Sequence, residues 1–334
     1  MKNQIKLKNR YTYFYLHQAC VPVLGNKQAI IIDTQRNDFI ISPLYIAEKL
    51  FKCKNNALDI EFIEEEFLEY LNELVYLEYG FYTNCTLNLL PVKENFFSIN
   101  SISNSIIDFA KKSNYDWRIF LNFLDINGCS SIMIRIFDSI DFEKLELILL
   151  RLNNSSVRSI DISINYFNSA NKYIENDLCK YAKINKIIIY NSPISKVNSN
   201  SCVNIIYLKQ QLVDETHCGF VDPIFFTNDY KFINESKLVN NCLYKKISID
   251  KNGKVKTCPA SSNTICDVKD IEKTDVLFAI SKLPETTITK DNIEVCRDCE
   301  YRYICHDCRV FTQKNNLFSK PSKCTYDPYS CIWT

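Results

Sequence analysis

Four thiols within thirteen residues, in the string CRDCEYRYICHDC from Cys296 to Cys308, constrain this chain more than any other feature. Gaps of two and five residues between cysteines do not serve ordinary core packing. They suit thiolates that converge on a metal ion or an iron–sulfur cluster. Cys242 and Cys258 lie upstream with Gly253 between them, and Cys324 and Cys331 lie downstream. Ligation of this kind contributes folding energy to a loop-rich domain. The chemistry, or its anchor, is therefore expected toward the C-terminus.

Sixteen cysteines could also mean a secreted disulfide scaffold, but such scaffolds are small and need an oxidising compartment. The opening MKNQIKLKNRYTYFYLHQAC is basic, yet His17 and Gln18 interrupt any apolar signal-peptide core. No window approaches the roughly 18 apolar residues that span a bilayer. The expectation is a cytoplasmic protein with reduced or metal-bound thiols and no membrane partner. A net charge of +1 gives no reason to expect nucleic acid. The five glycines, Gly25, Gly80, Gly128, Gly219 and Gly253, form no G-x-G-x-x-G or Walker-type run. Neither ATP nor a dinucleotide is expected in the familiar phosphate-cradling ways.

The chain reads as α/β in three parts: 1–90, 91–215 and 216–334. In the first, Ile30–Ile32 and Phe39–Ile41 are short strands around a polar turn, Asp33–Asp38. Ser42 as N-cap and Pro43 at the first helical position open a helix to about Phe51. A second helix starts near Asp59, and Gly80 suits its C-terminal cap. The middle part alternates strand and helix: Ser105–Phe109, Asp116–Ile126, Ser131–Phe137, Asp141–Leu152, Ser159–Asn165, Tyr173–Lys183, Lys186–Tyr190 and Val203–Leu208. That rhythm implies a parallel sheet with crossover helices. Its four or five units are too few for a closed eight-unit barrel, so a partial, open barrel is expected. In the third part, Lys245–Asp250 and Lys254–Lys256 flank Asn252-Gly253 as a hairpin, with Cys258 just beyond.

On local spacing alone, a structural zinc site and an iron–sulfur site stay equally open. The full pattern runs Cys242, ten residues, Gly253, four residues, Cys258; then Cys296, two, Cys299, five, Cys305; then Cys308 and Cys324. It resembles the SPASM domain, the auxiliary-cluster module of many radical-SAM peptide-modifying enzymes. The match covers about 100 residues. It departs at His306-Asp307, two residues where the family has three before its sixth cysteine. The resemblance implies two [4Fe–4S] clusters. One would take Cys296, Cys299, Cys305 and Cys324. The other would take Cys242, Cys258 and Cys308, with Cys218 the preferred fourth ligand and Cys266 and Cys331 competing. The remaining cysteines sit singly in apolar contexts and read as small core hydrophobes.

Radical-SAM enzymes carry C-x3-C-x2-C after the first barrel strand, and no such triplet exists in this chain. Radical-SAM cleavage chemistry is therefore not expected, and whether the chain is an enzyme at all stays open. Several stretches together resemble the SPASM-domain peptide maturase of grasp-with-spasm ribosomal peptide systems. They are CVPVLGNKQAIIIDTQRNDFIISP from Cys20, His217-Cys218-Gly219, NCLYKKISIDKNGKVKTCPA from Asn241, CRDCEYRYICHDCRVF and SKPSKCTYDPYSCIW. The family implies a ribosomal precursor peptide as substrate and an ATP-grasp peptide ligase as partner. The N-terminal part also resembles winged-helix modules, where a leader peptide adds a strand to a sheet edge. The edge would lie in Ile30, Ile32, Phe39 and Ile41, with Leu44, Leu50, Phe67 and Leu71 along the groove. Each of those residues serves equally as core. Three readings follow: an accessory maturation protein, a cluster-dependent redox enzyme, and a zinc-stapled scaffold.

Overall fold

The computed structural model describes residues 10–53, 57–89, 99–138, 142–166, 177–198 and 203–334. The chain divides into two compact units, Met1–Phe96 with Val221–Asn241 and Ile288–Thr334, and Phe97–Phe220 with Cys242–Thr287. The segment from residue 216 on, read above as one domain, thus contributes to both.

The first unit opens with β1 (Tyr13–Leu16), β2 (Cys20–Leu24), β3 (Gln28–Asp33), β4 (Asp38–Pro43), α1 (Leu44–Lys52), β5 (Leu58–Asp59), α2 (Glu65–Tyr76) and β6 (Gly80–Thr83). β2, β3 and β4 form an antiparallel meander, and β5, β1 and β6 a second small sheet. β3 reads QAIIID because both its faces are buried. Ile31 packs with Ile46, Leu50, Phe67, Leu68 and Leu71 of the helices. Ile30 and Ile32 turn the other way, into a core with Ile233, Tyr301, Ile304 and Tyr326. Opposite faces at period two explain why three consecutive isoleucines are all fully buried. The polar turn between β3 and β4 is held by Asp33, whose Oδ1 accepts from the backbone N–H groups of Gln35 and Arg36.

Three local expectations shift. Ser42 belongs to β4, and Pro43 takes the N-cap position with no side-chain cap. The second helix starts at Glu65, not near Asp59, which lies in β5. It ends at a Leu77 cap, and Gly80 opens β6, where a Cβ would meet the Phe14 ring at 2.3 Å. Gly80 therefore answers to a close approach between strands, not to a helix cap.

The second unit holds β7 (Asn104–Phe109), α3 (Trp117–Ile126), β8 (Ser131–Ile136), α4 (Phe142–Asn153), β9 (Ser159–Asn165), β10 (Ile184–Tyr190), β11 (Lys196–Asn198), β12 (Asn204–Tyr207), β13 (Lys246–Ile249), β14 (Lys254–Lys256) and β15 (Cys266–Asp267). They make a nine-stranded sheet in the order β11-β12-β10-β9-β8-β7-β13-β14-β15. From β12 to β13 every neighbouring pair is parallel. The protein is thus mixed α/β with a large, mostly parallel sheet, as the alternation implied. The hairpin β13–β14 extends that sheet, which the sequence did not foretell. Of the expected helix Tyr173–Lys183, residues 173–176 lie outside the described residues, and the rest holds only a 3-10 turn at Leu178–Lys180.

The sheet's two faces differ. Ile107, Phe109, Ile132, Ile134, Ile136, Ile160, Ile162, Ile164, Ile247 and Ile249 pack with α3 and α4 side chains such as Phe120, Leu121, Leu145 and Leu149. Alternation places Asp108, Arg135, Ser163, Lys246 and Ser248 on the opposite face, where all are buried. Parallel sheets are ordinarily apolar on both faces. A buried polar face on such a sheet is therefore built for something other than packing.

Candidate metal centres

In the first unit, Cys296, Cys299, Cys305 and Cys324 all line one cavity, with Phe226, Lys290, Tyr301, Tyr326 and Trp333 among its other walls. About 350 Å³ is unfilled by protein atoms, part of it open to solvent. Tight turns aim the thiols. Val295 takes φ 67° ahead of a 3-10 turn at Cys296–Asp298. Cys299 N–H donates to the Cys296 carbonyl at 3.0 Å, Cys305 N–H to Tyr301 at 3.0 Å, and Cys324 N–H to Pro321 at 3.1 Å. Tyr326 packs on Tyr301 at 5.1 Å and on Trp333 at 4.8 Å, so these rings together wall one side of the cavity. Tyr329 instead stays exposed and donates to Asp298 Oδ2 at 2.6 Å.

Burial pushes the Cys296 thiol up to about 12, with Lys290 opposing, and raises Cys299 and Cys305 as well. Protonated thiols are inert, so these residues gain ligand character only when a metal displaces the proton. Among the described residues no three His, Cys, Asp or Glu side chains are grouped to hold a single metal ion. Four thiols lining one cavity are a donor set of the kind that takes a tetrahedral ion or an iron–sulfur cluster.

The second set belongs to the other unit. The spacing Cys242–Gly253–Cys258 is hairpin geometry. Ser248 pairs with Lys256 and Ile249 with Val255, so Cys242, before β13, and Cys258, after β14, stand at the same open end. Gly253 supplies the turn at φ +80°, and a Cβ there would meet Tyr115 at 2.8 Å. Lys246 Nζ lies 3.8 Å from Cys242 Sγ. Cys242, Cys258 and Cys218 all lie within electrostatic reach of Lys246. Burial pushes Cys258 up to about 12, with Lys246 opposing and Cys242 and Cys218 adding. Cys218 thus shares the surroundings of Cys242 and Cys258. Cys266 answers instead to Thr274, Asp270 and Asp267. Cys331 adjoins Tyr326 and Tyr301 in the first unit. Cys308 also lies in the first unit, where its sulfur accepts from Phe311 N–H at 3.4 Å.

Sequence reasoning missed the ion pair beside this trio. Asp108 on β7 accepts from Arg135 Nε and Nη2 on β8, each at 2.7 Å, with both residues buried. Burial raises the Asp108 carboxyl, and Arg135 acts against it. Cys218 and Cys258 act on Arg135 as well. The available signal was one charge near the end of each of two isoleucine-rich strands, NSIIDF and SIMIRI.

The residues proposed for peptide binding scatter. Ile30 and Ile32 are buried on β3, whose backbone is paired on both sides. Leu50, Phe67 and Leu71 are core. Phe39 and Leu44 are half-buried. Ile41, on the outer strand β4, is 56% exposed. His17 packs on Phe81 and His306 on Phe232, and His217 lies in a 3-10 turn at Glu215–His217.

No family model matches this chain, and no curated protein does. Among solved structures, Streptococcus suis SuiB bound to S-adenosylmethionine aligns at 14% identity and TM-score 0.34, over 92% of this chain and 99% of that one. SuiB bound to precursor peptide SuiA aligns at 12% identity and TM-score 0.33, over 92% and 99%.

Proposed function

We propose that this chain is an accessory maturation protein of a ribosomal peptide system, carrying two [4Fe–4S] clusters and acting with an ATP-grasp ligase. The observation that supports this most is the cavity lined by Cys296, Cys299, Cys305 and Cys324, the four residues that the SPASM resemblance assigns to one cluster. Cys242, Cys258 and Cys218 would hold the other. The clusters would supply folding energy to the loops and a site for electron transfer or ligand binding. The N-terminal 1–90 would serve as the winged-helix-like leader module, 91–215 as the degenerate barrel and 216–334 as the SPASM region. Within the meander, β2 and β4 are the edge strands, and a leader peptide adding a strand beside Ile41 would pair with β4.

The test is reconstitution of precursor, ligase and this chain. Ligation should require the chain, and the full chain should bind the precursor peptide in fluorescence anisotropy. Ile41→Pro should weaken that binding at least tenfold by breaking the β4 edge. Undiminished ligation without the chain would contradict the accessory role. A second reading, redox chemistry on the bound peptide, is favoured by the three thiols gathered in the sheet unit. Three thiolates would leave one iron open to substrate.

A further inference from the structure

Each cysteine set contains a buried lysine of its own. Lys290 is 3% exposed, lines the four-cysteine cavity, and donates from Nζ to the Cys305 carbonyl at 2.6 Å. Lys246 is 7% exposed and sits 3.8 Å from Cys242 Sγ. The buried acids have other partners: Asp33 pairs with Arg36, Asp108 with Arg135 at 2.7 Å, Asp250 with Lys256 at 2.9 Å and Asp307 with Arg309 at 2.7 Å, and Glu300 accepts from Gln28 at 2.7 Å and from Tyr326. A buried ammonium without a carboxylate is costly unless another anion offsets it. The nearest groups that turn anionic on binding a metal are the sulfurs. Cys305 and Cys296 act on Lys290, together with Asp307. Cys242, Cys258 and Cys218 act on Lys246.

We propose that Lys290 and Lys246 are resident counter-cations of the two cysteine sets, each retaining an anionic metal–thiolate group and setting its reduction equilibrium. The proposal rests on the cluster reading above. Thiolate ligation gives a bound iron–sulfur group net negative charge, and one-electron reduction adds more. A cation fixed in a low-dielectric site favours the reduced form further.

The test uses full-length, anaerobically purified protein and its Lys290→Met and Lys246→Met variants. Iron, sulfide and visible spectra are measured, with the midpoint followed by EPR-monitored titration. Each variant should shift one cluster's reduction equilibrium tenfold or more toward the oxidised form. That equals about 59 mV for one electron. The other cluster should be unmoved. Lys290→Gln keeps a donor for the Cys305 carbonyl but drops the charge, and it should behave like Lys290→Met. A folded variant that loses the iron of its own site alone also supports the proposal. Native midpoints in the Met variants, or in Lys290→Gln, would overturn it and leave the cluster reading intact. Wild-type protein without iron would overturn both, and is seen without any variant.

Discussion

The two cysteine sets are built by different means. The four-thiol cavity comes from turns, with Cys296, Cys299 and Cys305 only nine residues apart end to end and aimed by local backbone hydrogen bonds. The three-thiol set depends on a parallel sheet. Cys242 and Cys258 meet because β13 and β14 pair, and they meet Lys246 and Arg135 because β13 lies beside β7 and β7 beside β8. A site made of turns needs its metal to hold its loops. A site mounted on a sheet has a scaffold whose packing does not depend on the metal.

The largest expected effect separates the sets. Cys305→Ser should remove about half the iron and disorder the loops of its unit, whereas Cys258→Ser should remove the other half and leave its sheet folded. Iron and sulfide assays with circular dichroism read both. Loss of all iron in either variant would break the comparison. Next comes the scaffold itself. Arg135→Met leaves Asp108 buried without its partner, at a cost of about 3–5 kcal/mol. Replacing both residues by apolar ones should recover most of that in urea unfolding.

A smaller effect is expected at the hairpin turn. Gly253→Ala must accept φ +80° and crowd Tyr115, costing about 1–3 kcal/mol. It should loosen iron at the three-thiol set before the cavity set.

The smallest lies in the loop unit. Burial pushes the Glu235 carboxyl up to about 7, with Lys231 opposing. Between its unfolded value near 4.5 and about 7, the folded state holds the extra proton. Stability from this group is therefore full below that window and lost as pH rises through it. Glu235→Gln should match wild type near the lower limit and exceed it by about 1 kcal/mol above the upper one, discounted for partial exposure. Equal stabilities across the window would remove Glu235 from this account.

Much of the scaffold was legible because periodicity is local. The strands around Ile106, Ile134 and Ile162, and the helix capped by Asp116, follow from alternation and capping chemistry. The proximity of Cys296, Cys299 and Cys305 was legible because two- and five-residue gaps force it, whereas Cys324, far along the chain, joins them only through the fold. What escaped was long-range. Nothing near Lys246 announces that β13 adds to β7, and nothing near Ile30 announces that its face meets Tyr301 and Tyr326. Asp108 and Arg135 are 27 residues apart, and only the register of two parallel strands joins them.

The most direct measurement is iron, zinc and acid-labile sulfide per chain after anaerobic purification. About eight irons with matching sulfide are predicted, four for each set. Zinc without sulfide would contradict the account and leave the cysteines as a structural staple.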